Sequence, residues 1–231
     1  MTVHLLSRWI VNSHSFIYHR GMCPRPRTAS DADLLMAASR AVSRVGPSRL
    51  TLADVAAEAG VAPATLMQRF GTKRGLLLAL ARQGTTAAAH EMAALRAADP
   101  SPLAALRAFA DCITGMAPTP EELANHLAFL VVDLTDKEFH HYALEQARAF
   151  QAELTSLVEA AVAAGELVPC DSEGLARVMQ EMLHGALVTW AIYREGTARE
   201  WVRRDLEMLL APYRPKRRPK REKNAERRRK K

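Results

Sequence analysis

With 231 residues, 48% of them hydrophobic, the chain is long enough for one ordinary domain or two small ones, and its three dispersed cysteines (Cys23, Cys112, Cys170) give no disulfide framework. The longest unbroken apolar run, residues 127–132, falls far short of the ~20 residues that span a bilayer, and Ser7, Arg8, Asn12, Ser13 and His14 interrupt the start where a secretory leader would be apolar. The net charge of +7 is unevenly spread: residues 1–27 carry four Arg and no acid, 28–82 seven basic and four acidic residues, 83–211 nine basic and nineteen acidic, and 212–231 twelve basic and two acidic. A basic segment followed by an acidic body suits a cytoplasmic protein that presents one end to phosphate and keeps the other away.

Residues 1–27 show no sustained period and end in the proline-broken, basic CPRPRT run, so a disordered N-terminal extension is expected; the alternative is an arm that touches the minor groove or backbone of DNA. Residues 31–45 read as a first helix, with Asp31 and Asp33 at its N-terminus, Leu34, Leu35, Ala38, Ala41, Val42 and Val45 on its apolar face, and Gly46-Pro47 to end it. The stretch TLADVAAEAGVAPATLMQRFGTK, residues 51–73, then reads as two short helices about a glycine turn. Thr51 is the N-cap of the first, Asp54 completes a capping box, and Leu50 can staple onto Val55. Gly60 stops that helix as a left-handed residue would, and Pro63 opens the next at its first position. Leu66 and Phe70 face inward, while Ala64, Thr65 and Gln68, flanked by Met67 and Arg69, face outward. Such a pair is a helix-turn-helix that can enter a DNA major groove.

The order of elements and the residues Thr51, Asp54, Ala56, Gly60, Val61, Leu66, Phe70 and Lys73 resemble the DNA-binding domain of the TetR (tetracycline-repressor-like) family over roughly residues 30–80. The resemblance implies a double-stranded DNA operator as partner, with Thr51, Pro63, Ala64, Thr65, Met67, Gln68, Arg69, Thr72 and Lys73 as candidate DNA contacts. Lys73 matches the family's backbone-contacting lysine. The sequence departs from the family's usual pattern at Ala62, often Ser; at Pro63, commonly a lysine or similar residue; and at Met67, commonly a phosphate-approaching tyrosine. Gln68 can pair with adenine, and Arg69 with guanine or phosphate. Thr51 can serve DNA or act only as a cap.

A fourth helix is expected from Lys73 to about Ala98, with Leu76, Leu77, Leu80, Ala87, Ala88 and Leu95 as packing residues and Gly84 as a point of loosening. Further helices are expected over residues 102–116, 121–134, 137–164, 172–194 and 198–210, and no segment alternates like a strand, so the fold class is all-α. The predicted domains are a helix-turn-helix unit at 28–82 and a helical ligand-binding and dimerisation unit at 83–211, followed by a disordered basic tail at 212–231. The 172–194 helix is apolar on nearly every side, so it must be covered on more than one face. With the last helix it resembles the family's dimerising pair, which implies a homodimer. The basic tail either solubilises the end or adds salt-sensitive DNA affinity.

The resemblance also implies a small-molecule effector in a largely apolar cavity of the second domain. Phe109, Cys112, Met116, Phe129, Met179, His184 and Trp190 are the inward-facing candidates. One enzyme alternative exists: Glu138–His141 and Glu181–His184 repeat the Glu-x-x-His spacing of di-iron carboxylate bundles. There is no Gly-rich phosphate loop and no G-x-S-x-G. The expectation is a non-enzymatic transcriptional regulator without cofactor or metal. The default reading is a repressor released by an apolar effector, and the alternative is a regulator that needs no ligand.

Overall fold

The computed structural model describes residues 29–216, apart from the side chains of 87–89, 91 and 92. The expected arm at 1–27, the tail beyond 216 and the packing role of Ala87 and Ala88 lie outside the described residues. The helices are α1 (Asp31–Arg49), α2 (Leu52–Ala59), α3 (Pro63–Phe70), α4 (Lys73–Ala98), α5 (Pro102–Gly115), α6 (Pro120–Thr135), α7 (Lys137–Ala163), α8 (Ser172–Tyr193) and α9 (Ala198–Leu210), closed by a 3-10 turn at Ala211–Tyr213. No strand occurs among the described residues, and the fold is all-α.

Local chemistry sets where these helices begin. Ser30, Thr51, Thr72, Ser101, Thr119, Asp136, Asp171 and Thr197 each accept a hydrogen bond from the first turn of the helix they precede. Among the described α-helices, α3 alone starts without a side-chain cap, behind Ala62. The expected break after residue 45 appears as a kink inside α1, where Gly46 takes φ 76°, ψ 158°. At Gly84 α4 runs on unbroken, and a Cβ there would lie 3.3 Å from Gln146 Nε2 of α7. That glycine therefore permits a close approach of two helices instead of loosening one.

The apolar side chains form two clusters. One gathers Leu34, Leu35, Val42, Leu50, Val55, Leu66, Leu76 and Leu77 from α1 to α4, and it is completed by Phe139 of α7. The other gathers Leu106 and Phe109 of α5, Leu154 and Leu157 of α7, Met179, Leu183 and Trp190 of α8, and Val202 and Leu206 of α9. Helix α8 buries Leu175, Met179, Leu183, Leu187 and Trp190 along one face, while Val178, Ile192 and Tyr193 remain on the outside. Within one chain, then, only one side of this apolar helix is covered.

The clusters are tied together by helix packing and by polar contacts. α1 packs on α6, and α4 packs along α7. Arg74 at the start of α4 pairs with Asp136 and Glu138 at the α6–α7 junction. The hydrogen bond from Arg74 holds the Asp136 carboxyl below the usual range, and Asp136 in turn raises the guanidinium. Asn125 Nδ2 donates to the Ser43 carbonyl at 2.7 Å.

Candidate nucleic-acid interface and the adjoining cavity

Helix α2 is fixed at both ends. Thr51 Oγ1 accepts from Asp54 N at 3.1 Å, and the Asp54 carboxylate accepts from Thr51 N at 2.8 Å, a reciprocal capping box. The hydroxyl of Thr51 also donates to that carboxylate, and these bonds hold the Asp54 pKa below its ordinary value. At the other end Gly60 is left-handed at φ 67°, ψ 32°, and Val61 N donates to Ala56 O at 3.0 Å, the 6→1 bond of a Schellman motif. The chain reverses over Gly60, Val61 and Ala62, and Pro63 then occupies the first turn of α3, where its missing N–H costs nothing.

Leu66 is fully buried and anchors α3; Phe70 is half-buried beside it. Pro63, Ala64, Met67, Gln68 and Arg69 are exposed, and Thr65 is half-buried at the edge of that face. The turn into α4 is tight. Gly71 has φ 71°, ψ −62°, and Thr72 N donates to Phe70 O at 2.8 Å across it, a γ-turn that favours glycine. A Cβ on Gly75 would come within 2.2 Å of the same Phe70 carbonyl, so only glycine lets α4 start this close to the end of α3.

These contacts gather the nine residues expected to meet DNA at one end of the molecule. Thr51 and Thr72 are exposed and cap α2 and α4, while Lys73 is half-buried, with its Nζ donating to Ser48 O at 2.9 Å. Arg69 is paired with Asp31 at the start of α1. Neither tether is visible in the helical periods, because each joins segments distant in sequence. A third, Arg40 Nε to Glu58 Oε1 at 2.7 Å, locks α1 to α2.

Residues 34–80 match the sequence profile described as "Bacterial regulatory proteins, tetR family". Over this segment the chain carries a TetR-type DNA-binding domain. This helix-turn-helix is the DNA-binding element of a transcriptional regulator. Among solved structures, a TetR regulator from Streptomyces coelicolor shares 28% identity, with a TM-score of 0.61 over 80% of this chain and 99% of that one. A TetR-family regulator from Agrobacterium tumefaciens superposes with a TM-score of 0.64 at 21% identity, over 80% of this chain and 97% of that one. SmeT, the repressor of the Stenotrophomonas maltophilia multidrug efflux pump SmeDEF, gives 0.59 at 20% identity, over 82% of this chain and 92% of that one. At these two lower identities the likeness is one of fold. No match is found among curated protein sequences.

Behind the TetR-type reading head lies a cleft of about 930 Å³, walled by Leu35, Met36, Ser39 and Val42 of α1, by Leu80, Ala81, Gln83, Gly84, Thr86, His90 and Ala94 of α4, by Met116, by His126, Phe129, Leu130 and Asp133 of α6, and by Ala143 and Gln146 of α7. Of the seven pocket candidates, Met116 and Phe129 line it. Phe109, Met179 and Trp190 are buried in the second apolar cluster, where Trp190 Nε1 donates to Gly196 O at 3.2 Å. Cys112 is half-buried on α5, and His184 stacks on Phe150 at 6.0 Å outside the cleft. Desolvation lowers the His184 pKa, although the residue stays exposed.

His126, Phe129, Leu130 and Asp133 fall at i, i+3, i+4 and i+7, so one stripe of α6 faces the cleft. That spacing is present in the sequence; the facing α1 wall is not, because it depends on how two distant helices pack. His126 Nε2 lies 3.0 Å from Met116 O and 3.1 Å from Ser43 Oγ. A carbonyl only accepts, so Nε2 carries the hydrogen. Burial lowers the His126 pKa and keeps the ring neutral. Burial raises Asp133 to about 6.

The two Glu-x-x-His pairs do not meet. Glu138 pairs with Arg74, His141 with Glu145, and Glu181 with Arg177. Among the described residues no group of three or more His, Cys, Asp and Glu side chains is placed to hold a metal ion. No helix there is long and apolar enough to cross a membrane.

Proposed function

We propose that the chain is a homodimeric repressor whose operator affinity is controlled by a small molecule in the cleft behind the reading head. The observation that carries this reading is that α1 forms one wall of the cleft and, through Asp31, also holds Arg69 of α3. A ligand that spreads α1 from α6 would therefore move the recognition helix relative to its mount. Pro63, Ala64, Thr65, Met67, Gln68 and Arg69 would meet the major groove, and Thr51, Thr72 and Lys73 the phosphates on either side. The domain boundary falls near residue 82, within α4, so that helix belongs to both units. The second copy would dock on the open side of α8, where Val178, Ile192 and Tyr193 are exposed and a side chain on Gly185 would meet nothing within 4 Å.

Two measurements test this. Gly185→Arg leaves the single chain undisturbed and should convert a dimer to a monomer in sedimentation; an unchanged dimer means that α8 is not the contact. Operator fragments selected from genomic DNA should be footprinted with and without candidate effectors. Linkage requires DNA to weaken effector binding by the factor by which effector weakens DNA binding, typically ~1–3 kcal/mol of coupling. Equal effector affinity with and without operator would leave a ligand-independent regulator.

A further inference from the structure

We propose that the cleft takes an amphipathic organic cation, with the Asp133 carboxylate as its counter-charge and the apolar walls as the seat of its body.

The charge inventory points this way. Among the described residues no Lys, Arg or Glu lines the cleft, and Asp133 is its one carboxylate. The two histidines on the walls are His90 of α4 and His126 of α6, and the latter is held neutral by burial. α1 contributes Ser39 as its polar group and α7 contributes Gln146. The acids just beyond Asp133 are already satisfied, Asp136 and Glu138 by Arg74. Asp133 makes no hydrogen bond or ion pair with another described residue, yet it is half-buried and desolvated. Holding a carboxylate there unpaired costs free energy that a bound ammonium would offset, with the pairing strengthened by the low local dielectric.

The walls define the rest of the ligand. Leu35, Leu80 and Phe129 supply apolar depth, and Met36, Met116 and Leu130 expose large apolar surface at the rim. Methionine and an aromatic ring adapt to varied apolar shapes and tolerate a nearby cation. A volume of about 930 Å³ accommodates a drug-sized molecule. An anionic amphiphile would place like charge beside Asp133 with no cationic side chain to receive it. A neutral one would leave the carboxylate unpaired.

Binding itself follows from the cleft; any effect on transcription rests on the effector reading above. The test uses the full chain and three matched probes below their micelle concentrations: decyltrimethylammonium, 1-decanol and decanoate, titrated calorimetrically. The cation should bind roughly tenfold tighter than the alcohol, with decanoate weakest. Asp133→Asn should erase that advantage while leaving 1-decanol binding unchanged, and Asp133→Glu should retain it. Should Asp133→Asn fail to fold, the order of the three probes on the unaltered chain decides. Equal or tighter binding of the alcohol or the fatty acid, no binding of the cation, or an advantage that survives Asp133→Asn overturns the proposal. The operator arm separates the two readings. Cation binding that leaves operator affinity unchanged removes the effector role and keeps the site. Operator release by a neutral or anionic compound, without cation binding, does the reverse.

Discussion

The reading head and the helical body are stabilised by different means. In the head, α2 and α3 have eight residues each, and their geometry is set by caps, positive-φ glycines and a few fully buried anchors such as Leu66. In the body, α7 and α8 run for 27 and 22 residues, and their positions are set by long apolar faces. The first arrangement fixes each turn locally, as matching a DNA groove requires. The second fixes only which faces meet, so it can leave a cleft and an uncovered face on α8. The seam between them is asymmetric: the body lends the head a core residue, Phe139, and the head lends the body a cavity wall, α1.

The strongest way to break this division is to remove one aromatic from each core. Phe139 is 2% exposed in the head's core, and Phe109 is 4% exposed in the body's. Truncating either to Ala should cost about 3–5 kcal/mol, read from the denaturant midpoint. The two should part in DNA binding. Phe139→Ala should weaken operator affinity per folded molecule, while Phe109→Ala should leave it unchanged. Equal losses would mean that head and body behave as one unit.

Next in size is the seam at Gly46. Its φ of 76° with ψ of 158° is a conformation open essentially to glycine, and a Cβ there would stand 2.7 Å from Asn125 Oδ1. Gly46→Ala should destabilise by roughly 1–3 kcal/mol from backbone strain alone. Adding Asn125→Ala relieves the clash but not the strain, and it also removes the bond to Ser43 O. The double variant should therefore recover little. Full recovery would show that the side chain, not the backbone, demands glycine.

The same division explains what could be read before any coordinates. Thr51, Asp54, Gly60 and Pro63 act within four residues of themselves, so their spacing reveals α2, the turn and α3 directly. The helices of the body were legible from their periods to within a residue or two, because Ser101, Thr119 and Asp171 are local caps as well. Which faces meet was not. Phe109, Met179 and Trp190 have the periodicity of pocket residues and of core residues alike, and the fold uses them as core. Asp133 carried a signal, a carboxylate one turn from Phe129 and Leu130 on the same α6 stripe, but its meaning needed the α1 and α7 walls. The Arg69–Asp31 and Lys73–Ser48 tethers span 38 and 25 residues and have no local signature.

Asp133 offers a smaller test with a defined sign. Its folded pKa is raised to about 6 from the ordinary 3.8, so between these values the native state holds more protons than the unfolded chain. Stability should then fall as pH rises through that window. Asp133→Asn should remove this slope and raise stability at pH 7 by about 1 kcal/mol, after allowing for solvent screening of a half-exposed group. A slope that persists in the variant must come from another group.

The smallest effect should come from the one uncapped helix. Ser30, Thr51 and Thr72 cap α1, α2 and α4, but Ala62 offers no side-chain acceptor to the first turn of α3. Ala62 already has the extended backbone of an N-cap at φ −73°, ψ 143°, so Ser can be introduced without moving the chain. Ala62→Ser should stabilise the free protein by about 0.5–1 kcal/mol, seen as a melting-temperature rise of a few degrees at most. If the head is already rigid through its glycine turns and Leu66, operator affinity should not improve with the cap. Affinity rising in step with stability would instead mean that α3 frays in the free protein and is ordered by DNA, making the recognition helix the soft part of an otherwise fixed head.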